Sequence, residues 1–522
     1  MGGGLLQLVA YGAQDIYLTG NPQITFFKSV YRRHTNFAME SIKQAFSGSP
    51  GFGSKISTNI PRSADLLHKL YVAVTLSGAD SLSDTKKWAW VQFLGHALLK
   101  TVELSIGGQR IDLHTSDWNQ LWYNLTSKQE HERAYNNIIG NVPQNNVLYR
   151  KHDETTLYIP LNFFFCRHIG QALPLIALQY HEVKLDVVFE SINNLIVSSG
   201  FDTDNVADEL GLRIVDAQLY CDMIYLDTDE RRRFAQTSHE MLVEQVQYIT
   251  DSAKMSTHVD LNFNHPVKEL VWVVQPPRGK YLWYHPTDAE AMRMIATKRF
   301  VLALAKYQGV DNDELVVEDN SVMPADGLPS ALLQMFERTQ PVAVSNSPVI
   351  DNITLLGDLL TIEEISHTTD LLLDGITRPA SGHGASIYDV AVKMPFNYAI
   401  YLDGTVNPLS SAVIKLNGHD RFSPRDAVFF NYIQPLQHHS WTPSDGVNVY
   451  SFAISPEEHQ PSGTLNFSRI DSAILSFELG TKAMSDSELW TKFISGSRVS
   501  VYAVNYNVLR VMSGMAGLSY SN

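Results

Sequence analysis

Two stretches far apart in the chain, VELSIGGQRID at 102–112 and IKLNGHDRF at 414–422, spell the same hairpin. In each, alternating apolar residues (Val102, Leu104, Ile106; Ala412, Ile414, Leu416) run into a Gly-containing pair. Polar residues, an Arg and an apolar residue then follow. Alternation with period two turns one face of a strand inward, and Gly-Gly or Asn-Gly supplies the positive φ of a two-residue turn. A hairpin stated twice across some 310 positions asks whether the whole fold is stated twice.

The segments around the hairpins agree. TLYIPLNFFF (156–165) is answered by NVYSFAI (448–454). ALPLIALQYHEVKLDVVF (172–189) is answered by PSGTLNFSRIDSAILSFEL (461–479), and AQLYCDMIYLD (217–227) by SRVSVYAVNYN (497–507). Ahead of the hairpins, TNFAMESIKQAF (35–46) pairs with HVDLNFNHPVKELVWVV (258–274). The repeating unit of about 200 residues is far longer than a solenoid repeat of roughly 20–50, so a whole domain is duplicated. Each copy has short strands and turn signals in place of long helical periodicity, the pattern of a β-sandwich or barrel. An eight-stranded jelly roll is a natural candidate, although pattern alone does not separate it from other sandwiches.

Two short helices are expected. In YLDTDERRRFAQ (225–236), Asp227 and Glu230 have the spacing of a cap with its reciprocal carboxylate. In NPQITFFKSVYRRH (21–34), Pro22 suits a first helical position and Ile24, Phe27 and Tyr31 share one face. The copies differ most between strand and hairpin, with about 25 residues in the first (77–101) and about 135 in the second (276–411). A connection that long projects from a compact sandwich. The expected organisation is a segment 1–34, a first sandwich 35–226, a connecting helix 227–240, and a second sandwich 241–522 carrying the insertion 276–411.

Composition bounds the function. With 40 basic and 55 acidic residues the net charge is −15, which argues against direct nucleic-acid binding. Cys166 and Cys221, the only two cysteines, are expected to be free buried thiols of a chain folded in a reducing compartment. The first residues lack the basic flank and long apolar run of a signal peptide, and Leu6 stands where a myristoylation signal has Ser or Thr. No apolar run of about 18 residues is present to span a membrane.

The opening GGGLLQLVAYGAQDIYLTGNPQITFFKSVYRRHTNFAMESI resembles the start of major capsid proteins of large icosahedral nucleocytoplasmic double-stranded DNA viruses, those of algal, chlorella-type viruses above all. The resemblance continues through VELSIGGQRID, PLIALQYHEVKL, YLDTDERRRFAQ, LNFNHP, IKLNGHDRF, QPSGTLNFSRID and NYNVLRVMSGMAGLSY. It covers nearly all of 1–275 and 412–522, and the insertion is the main departure. It implies an all-β double jelly roll and a homotrimeric, pseudo-hexagonal capsomer packed among neighbouring capsomers in the virion. It further implies that the amino-terminal segment lies on the inner face against minor capsid proteins, with Ile24, Phe27, Tyr31, Arg32 and Arg33 as contact residues. Proximity to an internal viral membrane is left open. Folding and assembly are expected in the host cytoplasm.

Sharper chemical readings are weaker. No His-x-His exists for a cupin-type metal site, and the nearest approach is the adjacent pair His438 and His439. DNDELVVEDN (311–320) has Val316 where a calcium loop needs Gly. No nucleophile elbow, phosphate loop or dinucleotide fingerprint occurs, and Glu363 and Glu364 are adjacent, unlike the separated carboxylates of a glycosidase. The chain is therefore expected to have no catalytic residues, no metal and no cofactor. For Arg32, Arg33 and Arg231 to Arg233, ion pairing or a protein contact is preferred to genome contact. Among the sequons at Asn124, Asn352 and Asn466, Asn466 is expected in a buried strand, which leaves Asn352 as the candidate glycan acceptor. The alternative to a capsid subunit is a carbohydrate-binding or carbohydrate-active pair of sandwiches.

Overall fold

The computed structural model describes residues 3–83, 86–146, 150–199, 206–275, 398–399, 407–480 and 496–520. Its principal strands form two sets of eight. The first set is β1 (Phe37–Ala45), β2 (Lys55–Asn59), β3 (Leu66–Leu76), β4 (Leu99–Ile106), β5 (Gln109–Thr115), β6 (Thr155–Pro160), β7 (Val183–Phe189) and β8 (Ile214–Leu226). The second is β9 (His239–Ser252), β10 (Ser256–Asp260), β11 (Pro266–Gln275), β12 (Leu409–Leu416), β13 (the pieces His419–Asp420 and Arg425–Asp426), β14 (Val447–Ser451), β15 (Ala473–Leu479) and β16 (Arg498–Met512).

Within the first set β1-β8-β3-β6 form one sheet and β2-β7-β4-β5 the other, all antiparallel. The second set repeats this as β9-β16-β11-β14 and β10-β15-β12-β13. Each strand thus has a counterpart eight places later. The chain is a double jelly roll.

Local chemistry accounts for the matched hairpins. Val102, Leu104 and Ile106 on β4 are fully buried while their neighbours are not. The turn residues Gly107 and Gly108 (φ +58° and +82°) and Asn417 and Gly418 (φ +49° and +80°) take the left-handed conformation that a primed turn requires. Each barrel closes around its own core. The fully buried Trp88 and Trp90 pack edge to face in the first, as do Trp272 and Phe430 in the second. Burying each such side chain is worth roughly 3 kcal/mol.

β11 departs from simple alternation. Leu270, Trp272 and Val274 enter the second core, whereas Val271 and Val273 belong to the apolar cluster of the first barrel. A strand covered on both faces reads as a continuous apolar run, and ELVWVV (269–274) is one.

Three expectations need correction. The partner of 35–46 is not 258–274, since β1 corresponds to β9, while 258–274 holds parts of β10 and β11, the counterparts of β2 and β3. Residues 21–34 form no helix; the amino-terminal helices are α1 (Gly3–Val9) and α2 (Ile16–Thr19), after which the chain runs irregularly to β1. An apolar stripe stabilises a helix only by packing, and Ile24, Phe27 and Tyr31 meet solvent. Asn466 is exposed, its side chain accepting a hydrogen bond from Ser468 N at 3.0 Å.

Between the sets, α3 (Thr228–Gln236) is capped by Asp227, whose carboxylate accepts from Thr228 N. Arg231 ties it to Asp65 at 3.0 Å. The insertion except residues 398–399 and 407–411 lies outside the described residues, as do DNDELVVEDN, Glu363, Glu364 and Asn352.

Candidate functional site

The most elaborate polar chemistry sits where the barrels meet. The outer face of the β9-β16-β11-β14 sheet lies against the first barrel, contributing Val243, Val246, Val271, Val273, Val447, Val449, Tyr502 and Val504 to one shared apolar cluster. The first barrel meets it with the helix Ser116–Thr126 that follows β5, and with the loop after β6. Trp118 on that helix packs against Tyr502 on β16, ring centroids 5.5 Å apart. Backbone bonds seal the edges: Trp441 N donates to Leu125 O at 3.1 Å and Tyr180 N to Gly514 O at 2.9 Å.

Six ionisable groups are held within this seam. Arg167, at the end of the short helix Phe164–Arg167 after β6, pairs with Glu244 on β9 at 2.7 Å, its guanidinium 3.8 Å from the centre of the Trp122 ring. Lys268 on β11 meets the other oxygen of Glu244 at 2.8 Å. The next residue, Glu269, pairs with His439 Nε2 at 2.9 Å, and His439 Nδ1 lies 3.0 Å from Glu457. A bulge between Val267 and Glu269 lets adjacent residues both be buried, since a regular strand would turn one of them outward. Three cations thus face three carboxylates.

Burial opposes the charges of Lys268, His439 and Glu269, and its balance with pairing differs among the three. For Lys268 burial is the largest influence and pulls the ammonium below the usual lysine range despite Glu244 and Glu269. For His439 burial also lowers, but Glu269 and Glu457 outweigh it and raise the imidazole to about 9. Burial opposes the Glu269 charge too, yet His439 and Lys268 hold that carboxyl below its ordinary value. Each group in the cluster is ion-paired; the Arg167–Glu244 pair crosses from the first barrel to the second, and the other pairs lie within the second. None of this was legible in the sequence, because the six residues come from five separate segments with no shared motif.

The second surface is the amino-terminal segment. From residue 3 to residue 41 no side chain is buried. Leu8, Tyr17, Leu18, Phe26, Val30 and Tyr31 are exposed, and Phe27 is 98% exposed. Its hydrogen bonds are local, such as Gly12 N to Asp15 at 2.7 Å. Ile24, Phe27, Tyr31, Arg32 and Arg33 are all exposed but do not share a helical face. Contiguous apolar exposure on this scale marks an interaction surface.

Other singled-out residues have structural places. His438 Nδ1 contacts Ile454 O at 2.8 Å. Cys166 and Cys221 are free and buried, their thiols pushed up to about 12 by burial. Among the described residues no group of three or more His, Cys, Asp or Glu is placed to hold a metal, and no helix is long and apolar enough to cross a membrane.

Comparison with known proteins agrees along the whole chain. A family model described as "Large eukaryotic DNA virus major capsid protein" matches residues 230–517, and one described as "Major capsid protein N-terminus" matches residues 25–227. The major capsid protein of Phaeocystis pouchetii virus is 40% identical, and that of Paramecium bursaria Chlorella virus 1 is 36% identical, each over 100% of both chains. A chain of the quasi-atomic model of the PBCV-1 virus capsid superposes with a TM-score of 0.61 at 31% identity, covering 95% of this chain and 100% of that one.

Proposed function

This chain belongs to the major capsid proteins of large eukaryotic DNA viruses, and from that premise we propose how it builds a shell. It is a structural subunit of an icosahedral virus capsid. Three copies close into a capsomer whose six barrels give a nearly hexagonal outline, and neighbouring capsomers tile the shell. The observation that carries this reading is the strand-for-strand identity of the two barrels. Three two-barrel chains then present six similar walls, which pack hexagonally although the true symmetry is threefold.

The barrels are 35–226 and 241–522, joined by 227–240, with the insertion 276–411 on the outward side of the second. The segment 1–34 orders on the inner face against minor capsid proteins, and its exposed apolar side chains, Ile24, Phe27 and Tyr31 among them, supply that contact. Arg32 and Arg33 add a polar rim. The subunit acts by geometry, without enzymatic activity. Two buried free thiols suit assembly in the host cytoplasm. The family and the relatives lend the carbohydrate-binding reading no support.

The solution molar mass, measured by light scattering behind a sizing column, tests the capsomer. Three chains of 58.5 kDa give about 175 kDa, stable on dilution as expected of an obligate interface. A species that stays at the mass of one chain at all concentrations counts against it.

A further inference from the structure

Two histidines meet across the seam between the barrels, beside the ion cluster but outside it. His168 of the first barrel and His459 of the second are stacked, with ring centroids 5.3 Å apart and planes 27° apart. His168 directly follows Arg167, which pairs with Glu244, and it caps the one-turn helix Ile169–Gln171. Gly170 N donates to His168 Nδ1 at 3.0 Å, so that nitrogen carries no proton. At the end of this turn the side-chain amide of Gln171 donates to Leu242 O on β9. Residues 167–171 therefore form a strap by which the first barrel grips the second, and the His168 cap shapes it.

Both rings are placed to be neutral. A proton on His168 Nδ1 would point at the Gly170 N–H and end the cap. His459 Nδ1 is buried and has no hydrogen-bond partner among the described residues, so a proton there would be desolvated and unsatisfied. The charged groups acting on this ring are Glu244 on β9, Lys268 on β11 and His168 itself. Burial pulls its proton affinity below the usual histidine value, Glu244 opposes that, and His168 and Lys268 add to it. Protonating both rings would set two like charges face to face. It would also place five cations, Arg167, Lys268, His168, His439 and His459, against the carboxylates of Glu244, Glu269 and Glu457.

We propose that the His168–His459 pair is an acid-operated latch on the barrel seam: the neutral stack holds the strap 167–171 on β9, and protonation of both rings releases it. A histidine that binds its proton less readily in the closed seam than in the open one stabilises the closed form. That contribution is complete above the ordinary value of about 6.5 and is lost as pH falls through the depressed one. His439 is a different case, since its ring faces Glu269 and Glu457 and keeps its proton throughout this window.

Hydrogen exchange of the full chain tests the latch, read by mass spectrometry at pH 7.5 and pH 5 and corrected for the intrinsic pH dependence of exchange. One set of peptides carries Gly170 and Gln171, and another carries Val246, whose N–H donates to Asp112 across the seam at 3.1 Å. Both should lose protection by about tenfold or more in acid, since one pKa unit in one ring is a factor of ten. Peptides from β3 and β8, inside the first barrel, should not change. His168→Asn keeps a capping acceptor and His459→Phe keeps a stacking ring, and neither side chain takes a proton. The double variant should therefore hold its protection at pH 5, and His459→Gln replaces His459→Phe if the latter does not fold. Wild-type protection unchanged at pH 5 would overturn the latch. So would an equal loss in the double variant, which assigns the effect to the carboxylates, or a loss spread evenly over both barrels, which is global unfolding.

Discussion

Arg167 of the first barrel and Glu244 of the second lie 2.7 Å apart with their side chains nearly withdrawn from water, 16% and 7% exposed. Removing Arg167 leaves Glu244 with Lys268 as its remaining cation and one carboxylate oxygen short of a partner. Arg167→Met should cost about 1–3 kcal/mol, read as a fall in the denaturant midpoint. Arg510 and Glu240 form a comparable pair at 2.9 Å, but both are more than half exposed, and Arg510→Met should cost less than about 1 kcal/mol. Equal losses would show that burial is not what separates them.

His439 should make the protein sensitive to alkali. Its folded value of about 9 lies above the ordinary 6.5. The stability it adds is therefore complete below about pH 6.5 and disappears as pH rises through 9, a total of about 3 kcal/mol. Glu269, held low, works the other way: its share is present above the usual glutamate range and is lost as pH falls through the depressed value. Unfolding followed between pH 6 and 10 should show a downward slope that His439→Gln flattens. A slope unchanged by that substitution would assign the effect elsewhere.

The two glycines of the first hairpin should differ in cost. Both have positive φ, so any side chain is strained there by about 1–2 kcal/mol. A Cβ on Gly108 meets nothing further, whereas one on Gly107 would lie 2.4 Å from Nδ1 of His181. That ring is held 2.9 Å from Ala516 O in the second barrel. Gly107→Ala should therefore destabilise at least twice as much as Gly108→Ala in thermal melts.

Removal of residues 1–34 should leave the melting temperature within about 2 °C, since the described part of that segment buries no side chain. Trimers should persist by light scattering while shell assembly fails. Trimers that do not form would move the segment from the inner face to the capsomer itself.

What could be read from the sequence follows from how local the cause was. The hairpins at Gly107–Gly108 and Asn417–Gly418 were legible because a turn is set by the residues within it. The counterpart of β1 was missed because the two strands have different surroundings. β1 is largely exposed, while β9 buries Val243 to Val246 toward the first barrel, so their side chains share no pattern. A chance Asn-Phe in 258–274 matched instead. The stripe of Ile24, Phe27 and Tyr31 suggested a helix, but the packing that would sustain one is not supplied by this chain. Arg167, Glu244, Lys268, Glu269, His439 and Glu457 carried no signal at all, because only the tertiary fold collects them.

β11 is clad on both sides, by its own core and by the neighbouring barrel. Expressed alone, the second half would turn Val271, Val273, Val447, Val449 and Val504 outward as a greasy wall, and such halves would clump before they could do anything useful. The first half, whose matching sheet is edged with tyrosines and charges, would suffer less. Copying a domain is reversible in principle. Once one copy has handed its outer wall to the other, trimming the gene back no longer yields a well-behaved ancestor, and the duplication becomes a one-way step.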